Sequence, residues 1–350
     1  MKTGPVDLPD IPTRIVLAPM AGGVGTPALV AAVGDAGGFG FLPSGYLGVE
    51  RLHKDMEAVR ALTHADFGVN VFVPAPPDAG RLQRAERYVK QLAGWSTKHE
   101  VPLGRPTYTD DDYPAKLSLL ADLRPRVVSF TFGLPEPEAV SALHDAGTAV
   151  LVTVTSPAES LAAVSLGVDG LVVQGWEAGA HQGGWITTDE TTDEHWGLLP
   201  LLQFVLELVE VPVIAAGGIA TGRGVAAVLA CGAHAAMLGT AFMRCPEAAT
   251  SAAHAAALEH PAATVMTRAF TGRAARALAN EFTRTFDEDA PAAYPEVHTA
   301  TSAMRVEARS RGDVDGFHLW AGQAHELARP MPAADLVAAL DVEARRALSR

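Results

Sequence analysis

Eight short apolar runs punctuate the chain, and most are continuous rather than alternating: 14–17, 39–42, 67–73, 127–132, 149–154, 170–173, 211–214 and 235–238. A strand that is apolar at nearly every position is buried on both faces, as in a parallel sheet covered by helices. Helical segments separate the runs, so each run opens one βα unit. Eight such units predict an α/β chain closed into a (β/α)8 TIM barrel. The first unit carries its own punctuation, with Thr26 suited to an N-cap, Pro27 to the first helical position, and Gly37 and Gly38 to the helix end.

After Thr240 the rhythm stops. A barrel takes about 250 residues, so a chain of 350 leaves room for one appendage. Residues 1–240 are read as the main part of the barrel, 241–315 as a smaller helical substrate domain capping its mouth, and 316–350 as C-terminal helices returning to its flank. Helix but no strand is expected in the cap. The connection between the third and fourth runs is too long for a simple βα loop. Its extra helix, near Arg81 to Ala93, is expected to pack around the barrel.

Charge narrows the partners. The formal net charge is −13, from 40 acidic against 27 basic side chains, and no Lys and Arg run tracks a nucleic-acid backbone. An acidic exterior also repels small anions, so an anion site needs local donors or an arginine. The two cysteines, Cys231 and Cys245, fit neither a disulfide framework nor metal-finger spacing. With no leader-like apolar segment and no membrane-length apolar run, the chain reads as a soluble cytoplasmic protein with no metal site. The HExxH, GxxxxGK[ST], GxSxG and GxGxxG patterns are missing, which removes zinc proteolysis, P-loop hydrolysis, α/β-hydrolase chemistry and an assumed dinucleotide from the sequence reading.

Chemistry in such a barrel sits after the strands. In the stretch from Val211 to Arg244, one strand breaks at Gly217 and Gly218 and the next at Gly239 and Thr240. Two adjacent glycine turns before helices present backbone N–H groups to a phosphate, although a single such turn is ordinarily just a cap. Asn70 interrupts the apolar strand GVNVFV, either to meet a planar heterocycle or to bond backbone. Gln174, Glu177, Gly179 and His181 share the glycine-rich run VVQGWEAGAHQGGW after the sixth strand. Thr131 follows the fourth strand, where its hydroxyl can orient a substrate oxygen or simply serve as a β-branched strand residue. Arg273 and Arg276 either anchor the cap or meet an anion, and Tyr294 and Trp320 either line the pocket or pack.

Taken together, LAPMAGG, FGVNVF, VVSFTFGLP, VVQGWEAGAHQGG, PVIAAGGIATGRGVAAVLACGAHAAMLGTAFM, TGRAARALANEF and LWAGQ resemble the nitronate monooxygenase family, formerly the 2-nitropropane dioxygenases, in order and over almost the whole chain. The resemblance implies an FMN-binding barrel that uses O2 to convert alkyl nitronates into a carbonyl compound and nitrite, with no nicotinamide consumed. It places the backbone at Met20 and Gly22 against the flavin ring, Asn70 and Gln174 in hydrogen bonds to it, and Gly179 at a close approach. Gly217, Gly218, Gly239 and Thr240 would hold the phosphate, with Met237 and Leu238 beside the ring or ribityl chain. Many family members carry His where this chain has Thr131, and that His is the candidate base for a neutral nitroalkane. With Thr131 orienting substrate, the nitronate anion is expected to be favoured, unless His181 replaces the base. Flavin-dependent enoyl-ACP reductase, quinone reductase and a non-catalytic flavin-binding protein are the alternatives.

Overall fold

A computed structural model describes residues 6–185 and 195–349. Eight parallel strands close into a barrel in chain order: Ile15–Leu17, Phe39–Pro43, Phe67–Phe72, Val127–Thr131, Ala149–Val154, Gly170–Gln174, Val213–Ala216 and Ala235–Leu238. The eighth strand pairs with the first, Met237 opposite Val16, so no sheet edge remains in the barrel. The (β/α)8 expectation therefore holds. The first helix, Pro27–Asp35, begins as its sequence predicts, with the Thr26 hydroxyl accepting the Leu29 N–H at 3.0 Å.

Strand alternation sorts the side chains into two sets. Outward residues such as Ile15, Val69, Phe130 and Val152 join the apolar faces of the surrounding helices. Inward residues such as Val16, Phe41, Leu151, Val172 and Ile214 fill the barrel, and Ile11 packs with them. Towards the C-terminal strand ends the inward set turns polar, with Asn70, Thr131, Thr153 and Gln174 facing a cavity. That change from apolar to polar is the floor of the site.

The cap departs from expectation in two ways. Residues 241–315 contain two strands, Thr264–Thr267 and Ala275–Leu278, and the second also pairs with Ala180–His181 to complete a three-stranded antiparallel sheet. Each is only four residues long, and the central one turns Arg276 inward to the Trp176 carbonyl, so no apolar run announces it. The extra helix after the third strand, Ala79–Gln91, joins the cap rather than the barrel wall. Tyr88 packs with Phe270, Phe282 and Val297, and its hydroxyl donates to the Ala269 carbonyl at 2.9 Å. Buried Glu296 fixes the same helix by accepting from Arg81 Nε at 2.7 Å.

At the chain's end, helix Ala333–Leu348 returns to the barrel and packs on helices Pro27–Asp35 and Gly222–Ala230. A Cβ at Gly222 would lie 2.2 Å from Glu343 Cβ, so only glycine permits this approach. Among the described residues no helix is long and apolar enough to cross a membrane.

Candidate active site

At the barrel mouth, the fourth strand positions an amide network. Asn70 Nδ2 donates towards the Ser129 carbonyl (3.1 Å), Ser129 Oγ (3.0 Å) and Thr131 Oγ1 (2.9 Å). The carbonyl acceptor fixes which way the amide faces. Both Nδ2 protons are thus spent inside the barrel, and Oδ1 is the atom Asn70 can offer a ligand. Thr131 Oγ1 also lies 3.2 Å from Thr153 Oγ1, so Thr131 belongs to this network as well as to the cavity wall. Gln174 is likewise committed, because its Oε1 accepts from Gly183 N at 2.7 Å and its Nε2 donates to the His181 carbonyl at 3.2 Å. Its first task is to hold the glycine-rich loop.

The two glycine turns face the same space. Gly217 and Gly218 adopt φ of +121° and +66°, beyond the ready reach of other residues, while Thr240 begins a short 3-10 helix after Gly239. Thr240 Oγ1 accepts from Gly322 N at 3.0 Å, which ties the turn to the loop carrying the LWAGQ segment. Gly179 is explained by that loop: a Cβ there would stand 2.5 Å from Gly322 N and 2.7 Å from the Ala321 carbonyl carbon. Met20, Gly22 and Met237 line the cavity. Leu238 does not, and this corrects its expected place beside a ligand. On a strand the neighbour of an inward residue points outward, and Leu238 lies in the core between barrel and helices.

A roof of cap residues closes the space. His181 Nε2 lies 2.9 Å from Thr271 Oγ1, and the ring packs near Phe132, Tyr294 and Trp320 at centroid distances of 5.4–5.8 Å. Burial, then the charges of Arg273 and Arg305, pull its pKa down to about 3, so the ring is neutral at pH 7. Arg273 and Arg276 prove to be anchors: Arg273 bonds the Gln182 and Gly184 carbonyls and stacks on Phe132, and Arg276 bonds the Trp176 carbonyl. Three lining residues, Tyr46, Phe132 and Ala180, hold left-handed φ values of 68°, 77° and 61°. Such strain in non-glycine residues gathers where a site needs it.

The helix Glu296–Ser310 supplies four cavity residues that the sequence does not single out, His298, Ser302, Arg305 and Arg309. Their spacing of four, three and four is one helical stripe, so a polar period of 3.6 was the available signal. Tyr46 stacks on His298 at 4.0 Å, and burial raises its hydroxyl pKa to about 12. Burial, with Arg305 adding to it, also drives His298 and His318 well below the usual histidine range. Burial lowers Arg305 to about 10, which leaves it cationic at neutral pH.

The cavity between floor and roof has a volume of about 360 Å³. Leu238, Glu177, Arg273, Arg276 and Tyr294 are absent from its lining, whereas the other site candidates singled out from sequence border it, and its described walls hold no Asp or Glu. The profile of the nitronate monooxygenase family matches residues 8–343. A nitronate monooxygenase of Pseudomonas aeruginosa is 40% identical over 341 residues, covering 95% of this chain and 96% of its own. One from Paraburkholderia phytofirmans is 39% identical over 351 residues, covering 96% and 93%. The crystal structure of nitroalkane oxidase from Streptomyces ansochromogenes superposes with a TM-score of 0.94 at 47% identity, covering 97% of each chain.

Proposed function

Because the chain belongs to the nitronate monooxygenase family, we propose that it carries out the FMN-dependent oxidation of alkyl nitronates by O2 to a carbonyl compound and nitrite, and that it favours the nitronate anion over the neutral nitroalkane. The observation that carries this reading is the convergence of both glycine turns, Asn70, Thr131 and His181 on one cavity.

The residues present fit FMN. Gly217 and Gly218 give two adjacent positive-φ positions at a strand end, and a Cβ at Gly239 would meet nothing closer than 3.5 Å, so backbone is open to a phosphate there. Gly217, Gly218, Gly239 and Thr240 would hold the phosphate, Met20, Gly22 and Met237 would flank the ring system, and Asn70 Oδ1 would accept from a ring N–H. FMN supplies the redox chemistry when bound, and the chain supplies placement and electrostatics. The cap, centred on residues 241–315, serves as the substrate domain over this floor.

The preference for the anion follows from the proton acceptors that face the cavity. Thr131 donates and accepts hydrogen bonds but does not take a proton near neutral pH. His181 and His254, lowered by burial to about 3 and about 4, are weak bases, and His298 and His318 are lowered too. General-base catalysis works best with a pKa near the working pH. A neutral nitroalkane therefore finds no matched base, whereas a nitronate has already lost its α-proton. Thr131 then orients the nitronate, and neutral His181 offers it a hydrogen bond.

The test is to release and identify the flavin, then follow its anaerobic bleaching by freshly prepared nitronate, by the parent nitroalkane and by NADH or NADPH. Bleaching by nitronate, at least tenfold faster than by the nitroalkane, is the expected result. Rapid bleaching by a nicotinamide, with none by nitronate, would overturn it in favour of an enoyl or quinone reductase.

A further inference from the structure

We propose that Arg305, Arg309 and His318 form an oxyanion-recognition subsite in the cap, which takes a planar monoanion with paired oxygens: the nitronate head in turnover, and nitrite or a small carboxylate as competitor. The assignment to nitronate rests on the proposed function, but the subsite itself rests on the arginines.

Both arginines project from one stripe of the helix Glu296–Ser310 into the cavity. Arg305 is 6% exposed, and its hydrogen-bonding partners are the Thr301 hydroxyl (3.2 Å), the His298 carbonyl (2.9 Å) and two imidazole nitrogens. Arg309 reaches the Gly22 carbonyl at 3.4 Å and His318 Nε2 at 2.9 Å. Among the described residues neither arginine has a carboxylate partner. The first turn of the same helix shows the contrast, where Glu296 meets Arg81 at 2.7 Å. Buried cations are ordinarily paired, because an uncompensated charge out of water is costly.

The cluster also holds more donors than acceptors. Arg305 Nη1 points at His318 Nδ1 from 3.4 Å while Arg309 Nη2 points at its Nε2 from 2.9 Å. A neutral imidazole has one acceptor nitrogen, so one guanidinium N–H faces another N–H. An anion with two oxygens removes that conflict, and guanidinium groups match paired oxygens in plane. The contact with Gly22 places this anion at the barrel mouth, next to the floor. On a chain of net charge −13, these cations also supply the local attraction an anionic substrate needs.

The experiment uses flavin-loaded protein. Nitrite and acetate are titrated against the visible flavin spectrum in the natural protein and in Arg305→Gln, Arg309→Gln, Arg305→Lys and Arg309→Lys. The natural protein is expected to show a saturable spectral change, and each Gln variant to weaken it by about 10- to 100-fold, the size of a lost charged hydrogen bond. KM for nitronate and Ki for nitrite are expected to rise together, with FMN content unchanged. If a Gln variant fails to fold, the Lys variant decides, with a rise of about tenfold in Kd at full FMN content. Nitrite affinity unchanged in the variants, or FMN lost from the Lys variants too, overturns the subsite. Arginine-dependent nitrite binding without nitronate turnover would sink the monooxygenase reading alone, and nitronate turnover indifferent to all four substitutions would sink the subsite alone.

Discussion

The floor and the roof of this cavity are built on opposite principles. The floor comes from the ends of barrel strands, where backbone glycines and neutral amides are fixed by register: Asn70 sits opposite Ser129, and Gln174 opposite Ala216. The roof comes from separate stretches near residues 46, 132, 181, 271, 298–309 and 318–320, and it carries arginines and imidazoles. A barrel strand has little freedom to move, so the floor suits a cofactor that stays. The roof packs on a second core with its own helices, so it can vary with the substrate. Which molecule reacts is therefore a question for the roof and for Thr131, the floor residue nearest to that choice.

The sharpest way to break this division is to change Thr131. Thr131→His places at the cavity wall the imidazole that the family resemblance gives as the candidate base. The expected outcome is a gain of about 100-fold in the rate on neutral nitroalkane relative to nitronate, the low end of general-base catalysis. FMN content should be unchanged. Stopped-flow flavin reduction with each substrate form, at a pH where they interconvert slowly, checks this. No gain would mean that the roof, not position 131, decides the preference. A smaller effect is expected from Gly179→Ala. Its Cβ would overlap backbone at 2.5 Å and 2.7 Å, and backbone cannot swing aside as a side chain does. Overpacking of this kind costs about 1–3 kcal/mol, equivalent to at least about a tenfold loss of FMN affinity if the loop carries it. Fluorescence titration of the apoprotein with FMN measures this. Full affinity would show that the tie between Gly179 and Gly322 is dispensable to the floor.

These two regions also differ in how legibly the sequence encodes them. Floor residues lie at the ends of apolar strands, so Asn70, Thr131 and Gln174 stand out as polar interruptions, and Gly217, Gly218 and Gly239 as breaks. The resemblance pairs Leu238 with Met237 beside the ligand, whereas strand alternation from Met237 turns Leu238 outward. Roof residues have no such frame. Arg305 and Arg309 sit in a polar helix whose stripe only acquires meaning once the fold brings His318 and Gly22 to it. The cap sheet was hidden for the same reason, since Thr264–Thr267 and Ala275–Leu278 are short and one encloses a buried arginine. The insertion at Ala79–Gln91 joins the cap because its two buried residues, Ala85 and Tyr88, share a core with Phe270 and Val297 rather than with any barrel helix. That pairing is long-range and leaves no local trace.

The smallest effect expected is a pH dependence of stability that belongs to the roof. Burial lowers His181 to about 3 and His254 to about 4, with the arginines Arg273, Arg305 and Arg309 adding to the shift, and it also holds His298 and His318 well below the usual histidine range. An unfolded histidine titrates near 6.5, so between there and the folded values the unfolded chain binds more protons. Stability therefore rises with pH across that window and is lost on acidification, by up to about 1.4 kcal/mol per pH unit for each such histidine. His254 isolates one share of this, because its Nε2 faces the Trp320 carbonyl at 3.1 Å, a bond a Gln amide can also donate. His254→Gln is expected to match the natural protein near pH 7 in urea unfolding and to lose about 1 kcal/mol less between pH 6.5 and 5. Parallel slopes for the two proteins would mean that this imidazole already holds its proton in the folded roof. The carbonyl of Trp320 would then outweigh burial and the nearby Arg309, and the neutral-histidine account of the roof would fail at that residue.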